Sequence, residues 1–268
     1  MFLELIQYDF IQRAYIAGSF IAFLCGILGL FLILRRLSLI GDGISHVSFG
    51  AIALGLFFGF YPFYIAIPTV IIASYLILKI TEKTKLHADA AIGIVSSAGI
   101  SLGVILSSIS GGFNIDLFSY LFGNILAISK EEMYLSVFLS AFLLIVIYYL
   151  YYEFFSVSFD EEYAKTTGIN TKRINVILIT LTALTVILAI RIVGVMLSSA
   201  LLILPGATSL LFAKSFKFTI FFSGILSLIS VFLGITFAFY LDLPPGATII
   251  VLNLIFFSFF SVYRKINQ

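Results

Sequence analysis

The sequence contains no tryptophan, one cysteine, two histidines and five prolines in 268 residues, and only 10% of it is charged. Each shortage excludes something. The lone Cys25 rules out an internal disulfide framework and any multi-thiolate metal cluster within the chain. A formal net charge of +2 is too small to argue for a nucleic-acid partner. So little charge also rules out an ordinary soluble domain, in which about 25% of residues are charged. What the chain has instead is apolar side chain, 62% of the total, with a mean hydropathy of +1.19. No water-facing surface could hide so much, so the lipid bilayer is the solvent. In place of Trp, 30 Phe and 14 Tyr supply the interfacial aromatics.

A membrane-spanning helix needs about 20 largely apolar residues. Uncharged runs fall at 14–34, 90–115, 133–152, 174–190, 192–213, 218–241 and 243–263. The run 43–78 is too long for one span, and Pro62 and Pro68 divide it. A further run, Leu117 to Ser129, is as apolar as the rest but too short to cross, which marks a re-entrant or interfacial piece. The candidate runs number nine once 43–78 is divided, an odd count that would put the two termini on opposite sides. The fold class predicted is an all-α polytopic membrane protein of about eight transmembrane helices plus one short re-entrant helix, all within a single transmembrane domain, 1–268.

The distribution of Lys and Arg tests this reading. Arg35 and Arg36, Lys79, Lys83 and Lys85, Lys165, Lys172 and Arg173, Lys214 and Lys217, and Arg264 and Lys265 all fall on one side if 117–129 does not cross. The amino terminus is then outside and the carboxyl terminus cytoplasmic. Arg13 and Arg191 are exceptions, read as interface anchors whose long stems let them snorkel. Met1 to Gln12 is not read as a secretory signal, because Glu4 and Asp9 replace a basic start.

Ionisable groups in membrane segments are costly, which makes each one a candidate site. Asp42 and His46 open the second span in Ser38-Leu-Ile-Gly-Asp-Gly-Ile-Ser-His46. Their four-residue spacing places them on one helix face, one turn apart. A carboxylate and an imidazole so placed can jointly bind a divalent transition metal. Against this stand an N-cap role for Asp42 and a simple interhelical hydrogen bond for His46. Asp116 stands at the mouth of the short segment, either as a third ligand or as an N-cap for the helix from Leu117. Two carboxylates and one imidazole suit Zn²⁺ or Mn²⁺ without separating them. Pro205 removes a backbone donor and clashes with the Leu201 carbonyl, so a kink is expected there. Asp242 is read as a solvated loop residue, Asp89 as a helix cap and Cys25 as a small apolar packer.

The longest polar stretch, Glu153 to Arg173, reads as a short helix over about 158–168. Ser158-Phe-Asp-Glu161 has the form of a capping box. Asp160 and Glu162 add negative charge to the first turn, and Gly168 is placed as a left-handed stop. Phe159 and Tyr163, four apart, would share an aromatic edge. A helix of two turns cannot be stable alone, so a partner's groove is expected for it. Its acids argue against a place on an anionic leaflet.

Several of these segments resemble the signature of zinc/manganese-type ABC transporter permeases. They are Leu34-Arg-Arg-Leu-Ser-Leu-Ile-Gly-Asp-Gly-Ile-Ser-His46 with Ala51-Ile-Ala-Leu-Gly55, Asp116-Leu-Phe-Ser-Tyr-Leu-Phe-Gly-Asn-Ile-Leu-Ala127, Ser158-Phe-Asp-Glu-Glu-Tyr-Ala-Lys-Thr-Thr-Gly168, and Leu201-Leu-Ile-Leu-Pro-Gly-Ala-Thr208. They lie in order across nearly the whole chain. Gln7-Tyr-Asp-Phe-Ile-Gln-Arg-Ala14 is closer to the zinc branch than to the manganese branch. The resemblance implies a homodimeric pore, cytosolic ABC ATPase subunits and an extracytoplasmic metal-binding protein that delivers the ion. It also implies Asp42, His46 and Asp116 as a transit site for Zn²⁺ or Mn²⁺, with no permanently bound cofactor. The short helix, with Phe159, Asp160, Glu161, Glu162, Tyr163 and Gly168, becomes the coupling helix seated on the ATPase. One departure is Gly43, where the family usually has Ala or Thr.

The function this implies is ATP-driven import by alternating access through a cell-membrane permease. The chain lacks G-x-x-x-x-G-K-[ST], so ATP hydrolysis belongs to a partner and this chain is not an enzyme. Two rivals remain: a permease for an organic substrate such as a siderophore or vitamin, and an intramembrane metalloenzyme. The second would need a general base beside the metal, and no H-E-x-x-H sequence occurs.

Overall fold

The computed structural model describes residues 7–84, 87–110 and 115–266. In hydrocarbon every backbone N–H and C=O must find its partner within the protein, and a helix does so within one segment. Among the described residues the chain forms α1 (Asp9–Leu34), α2 (Ile40–Phe57), α3 (Pro62–Thr84), α4 (Ala88–Ile109), α5 (Ile115–Phe122), a 3₁₀ turn (Ile125–Ala127), α6 (Lys130–Tyr149), α7 (Tyr151–Phe159), α8 (Glu161–Thr166), α9 (Thr171–Val193), α10 (Ser198–Leu210), α11 (Phe216–Leu241) and α12 (Pro245–Ile266), with no strand. Eight of them, α1 to α4, α6, α9, α11 and α12, are long and apolar enough to cross a membrane. The chain is an all-α, multi-pass membrane protein.

Burial sorts core from periphery. The most apolar windows of α1, α2 and α9 are 67%, 72% and 72% buried, against 22–28% for α4, α6 and α12. Small residues let the core helices approach closely, as membrane packing favours. The Ser223 hydroxyl of α11 donates to the Gly26 carbonyl of α1 at 2.6 Å. A side chain on Gly29 would overlap the Leu202 carbonyl of α10.

Contacts define two ends of the bundle. At one, Arg191 meets Glu132 and Tyr8 meets Phe239. At the other, Arg35 meets Glu161, and Phe31 meets Phe216. The named basic clusters among the described residues fall at the Arg35 end, as the charge rule requires. Lys130, at the start of α6, joins Arg13 and Arg191 at the opposite end.

The run 192–213 departs from the expectation of a full span. Gly194 ends α9 with φ +86°, and only 13 residues of the run, in α10, are helical beyond it. This segment still links the two ends. Val195 donates to the Tyr120 carbonyl at one, while Phe216 packs on Phe31 at the other. Gly29 lies beside Leu202 and Gly206 beside Ile33, so α10 runs parallel to α1. With that passage added to the eight long helices, the first and last described residues lie at opposite ends.

The short segment behaves as expected: it leaves and re-enters at the Arg191 end without crossing. The C-terminal carbonyls of α5 are capped from afar, Tyr120 by the Val195 amide at 3.0 Å and Leu121 by the Met196 amide at 3.3 Å. Gly123 and Gly194 both have positive φ and press backbone to backbone, where neither could carry a side chain. Beyond them Ile125 reaches inward to Gly18 of α1.

Candidate functional site

Of the two proline positions taken to divide 43–78, only Pro62 marks the break. The chain turns at Gly59, φ +70°, and α3 begins at Pro62, while Pro68 lies inside α3. This sets α2 at 18 residues, with Asp42 in its first turn and His46 one turn further in. The N-cap of α2 is Leu39, so Asp42 is not a cap. Its carboxylate Oδ2 stands 3.6 Å from His46 Nε2. That separation is longer than a hydrogen bond of about 2.7–3.2 Å. The His46 Nδ1 is buried with no hydrogen-bond partner.

The rest of α2 explains why this pair is accessible. Within Ile40–Phe57 every residue is buried except Asp42, His46, Leu54, Leu56 and Phe57. Asp42, His46 and Leu54 follow a spacing of four and eight, so the pair lies on the one open stripe of an otherwise covered helix. Below it runs an apolar groove of about 320 Å³ between α2, α3 and α4, lined by Val47, Gly50, Leu54, Thr69, Ala98 and Leu102 among others. The α2–α4 crossing that shapes the groove is close. A Cβ on Gly99 would lie 2.5 Å from Val47 Cα and 3.0 Å from the His46 carbonyl. Gly43 has a similar cause: the methyl of Ile92 occupies the place its Cβ would take.

Asp116 belongs to α5, but its side chain lies outside the described residues. Among the described residues no cluster of three His, Cys, Asp or Glu forms. Pro205 sits within α10, next to Gly206, which packs on Leu30 and Ile33 of α1. Asp242 caps α11 in the left-handed region, φ 52°, as a turn residue would. Asp89 is not the cap expected of it: it is the second residue of α4, whose N-cap is His87. Cys25 is fully buried.

At the Arg191 end the structure corrects one reading. Arg191 does not snorkel. Its guanidinium donates to both carboxylate oxygens of Glu132 at 2.5 Å and stacks over the Tyr120 ring at 5.1 Å. Glu132 closes a capping box with Ser129 at the start of α6 and accepts from the Tyr61 hydroxyl at 2.8 Å. Burial first, then the Glu132 carboxylate, pushes the Tyr61 phenol well above its ordinary range. The cluster joins the ends of α3, α5, α6 and α9, and so fixes the segment that carries Asp116.

At the Arg35 end the polar stretch forms two helices, not one. α7 continues through Ser158 to Phe159, and the chain kinks at Asp160, φ −150°, before α8. The N-cap is therefore Asp160, which accepts from the Tyr163 amide at 2.9 Å, and Ser158 forms no capping box. Phe159 and Tyr163 lie on different helices, each more than half exposed. Glu161 turns inward to Arg35, 3.0 Å away, while Glu162 pairs with Lys165 at 3.1 Å. Gly168, φ +87°, is the left-handed stop as expected. It donates to Lys165, and Ile169 to Ala164.

Sequence reasoning missed Arg35, Asn175, Glu132 and Tyr61. The one available signal was the cost of placing charge next to lipid, which applied to Glu132 as much as to Asp42.

Comparison with known proteins follows the same layout. Residues 7–264 match the ABC 3 transport family. The manganese transport system membrane protein MntC of Listeria monocytogenes is 35% identical, the match covering 96% of this chain and 92% of that one. The manganese import system permease protein ScaB of Streptococcus parasanguinis is also 35% identical, covering 95% and 91%. Among solved structures, PsaBC from Streptococcus pneumoniae in complex with Fab superposes with a TM-score of 0.87 at 33% identity, covering 97% of this chain and 95% of that one. These relatives are transport proteins rather than catalysts, and this chain is a transport subunit, not an enzyme. It belongs to the ABC 3 transport family, as a metal ABC transporter permease.

Proposed function

We propose that this chain, acting as one transmembrane domain over 1–268, imports a divalent transition metal ion across the cytoplasmic membrane. Two copies would enclose the path. Cytosolic ABC ATPase subunits would bind at the Arg35 end, and an extracytoplasmic metal-binding protein would load the Arg191 end. The amino terminus is then outside and the carboxyl terminus cytoplasmic. The observation that carries this reading is the Asp42–His46 pair, held on the one uncovered stripe of α2 in a member of a metal-transport family.

The geometry suits a cation in transit. Two ligands each about 2.1 Å from a metal stand roughly 3–3.5 Å apart, close to the 3.6 Å between Oδ2 and Nε2. Asp116 would supply the third ligand. Ligation requires His46 neutral and both carboxylates ionised. The site must also bind more weakly in one state than in the other, since equal affinity for both would shift nothing. A kink at Pro205 in the short α10 would give the crossing its freedom to rearrange.

Manganese is put ahead of zinc, because the named relatives are manganese systems. The amino-terminal likeness to the zinc branch is the weaker guide, and the ligand set accepts either ion.

The test is uptake of radiolabelled manganese and zinc into vesicles holding the whole transporter with its carrier protein. Asp42→Ala, His46→Ala and Asp116→Ala should each abolish uptake of the preferred metal. Undiminished uptake in all three would overturn the site, and preference for zinc would reverse the order of metals.

A further inference from the structure

We propose that Arg35 is a positioning residue that ties the ATPase-facing helix α8 to the α1–α2 hairpin carrying Asp42 and His46. The inference rests on the proposed function and names the side chain through which the two regions are joined.

Arg35 is held from both directions. As the C-cap of α1 it begins a turn closed by two backbone bonds, Arg36 N–H to the Ile33 carbonyl at 3.0 Å and Leu37 N–H to the Leu32 carbonyl at 2.8 Å. Arg36 adopts φ 56° to complete that turn, a conformation disfavoured for a non-glycine residue. The turn is thus fixed in shape, and α2 starts three residues later at Ile40. Outward from this anchor, the guanidinium donates to three separate helices. It reaches the Val157 carbonyl of α7 at 2.6 Å, Glu161 of α8 at 3.0 Å and the Asn175 side chain of α9 at 2.7 Å. Its side chain is 14% exposed, so water replaces these bonds poorly.

Arginine is needed for this because its planar fork can serve several acceptors at fixed angles, which an ammonium cannot. A displacement of α8 by a bound ATPase must then carry Arg35 with it or break these bonds. Glu161 consequently faces the bundle, and the partner's contact falls to the outward Glu162, Tyr163 and Lys165.

The experiment uses the complete transporter in proteoliposomes with its carrier protein. Arg35→Lys and Asn175→Ala, with Arg35→Gln as the harsher variant, are assayed for ATP hydrolysis, manganese ions moved per ATP and equilibrium manganese binding. Arg35→Lys should retain hydrolysis and binding, while the number of ions moved per ATP falls. Asn175→Ala should reduce the ratio in the same direction, and the double variant should be no worse than Arg35→Lys alone. An unchanged ratio in both single variants would overturn the proposal. So would a ratio that falls only in step with manganese binding, which would make Arg35 a plain structural support of the site. Should Arg35→Gln fail to assemble, the two milder variants decide. Failure of the underlying function would show separately, as wild-type manganese uptake in Asp42→Ala.

Discussion

Arg191 and Glu132, 59 residues apart in the chain, meet with one guanidinium nitrogen 2.5 Å from both carboxylate oxygens, and their side chains are only 14% and 12% exposed. Removing one partner of such a pair leaves the other charge buried alone. Arg191→Ala should therefore destabilise the protein by about 3–5 kcal/mol. Replacing both, as Arg191→Met with Glu132→Met, should recover most of that loss, short of about 1 kcal/mol for the missing cap. Thermal unfolding of the purified chain in detergent compares the two. A double variant as unstable as Arg191→Ala would show that the pair is not the source of the loss.

The α2–α4 crossing predicts a sharp contrast between two glycines of α4. Gly99→Ala would push a methyl into the backbone of α2 beside His46, and overpacking of this kind costs about 1–3 kcal/mol. Gly93 has open space where its Cβ would stand, so Gly93→Ala should leave stability unchanged or slightly raised. Metal uptake should fall with Gly99→Ala and persist with Gly93→Ala. Equal effects would mean that the crossing is not tight.

Gly43 and Ile92 should compensate each other. Alanine at 43 favours the helix by about 1 kcal/mol, but its methyl would collide with the Ile92 side chain. Gly43→Ala alone should lower the unfolding midpoint, and Gly43→Ala with Ile92→Ala should raise it relative to Ile92→Ala alone. Midpoints that add without interaction would remove this explanation of Gly43.

The cap of α8 separates two aspartate- and serine-based readings. Asp160→Ala should weaken the helix by about 1 kcal/mol, whereas Ser158→Ala should leave it intact. Hydrogen exchange of the amides of 161–166 reports this directly: faster exchange in Ser158→Ala than in Asp160→Ala would restore the capping-box reading.

Much of this fold was legible because lipid imposes one simple rule, that a crossing needs a long apolar run. The re-entrant segment was legible for the same reason, being too short. Gly168 was readable from local chemistry alone. The end of α9 was harder to read, since the backbone that presses against Gly194 comes from Gly123, far off in the chain. Glu161 looked like a capping residue within its own segment, and only the folded chain brings Arg35, 126 residues away, to claim it. The Asp42–His46 pair was visible because four-residue spacing fixes proximity on a helix. That the remaining faces of α2 are covered, leaving this stripe open, is a property of packing.

Cys25 is the chain's one thiol and has no accessible surface. Maleimide reagents need an exposed thiolate, so the natural sequence is already a silent background for labelling. Fluorophores or spin labels attached through a cysteine introduced on α8 and another beside the α1–α2 turn could track their separation through nucleotide turnover without first rebuilding the core around α1.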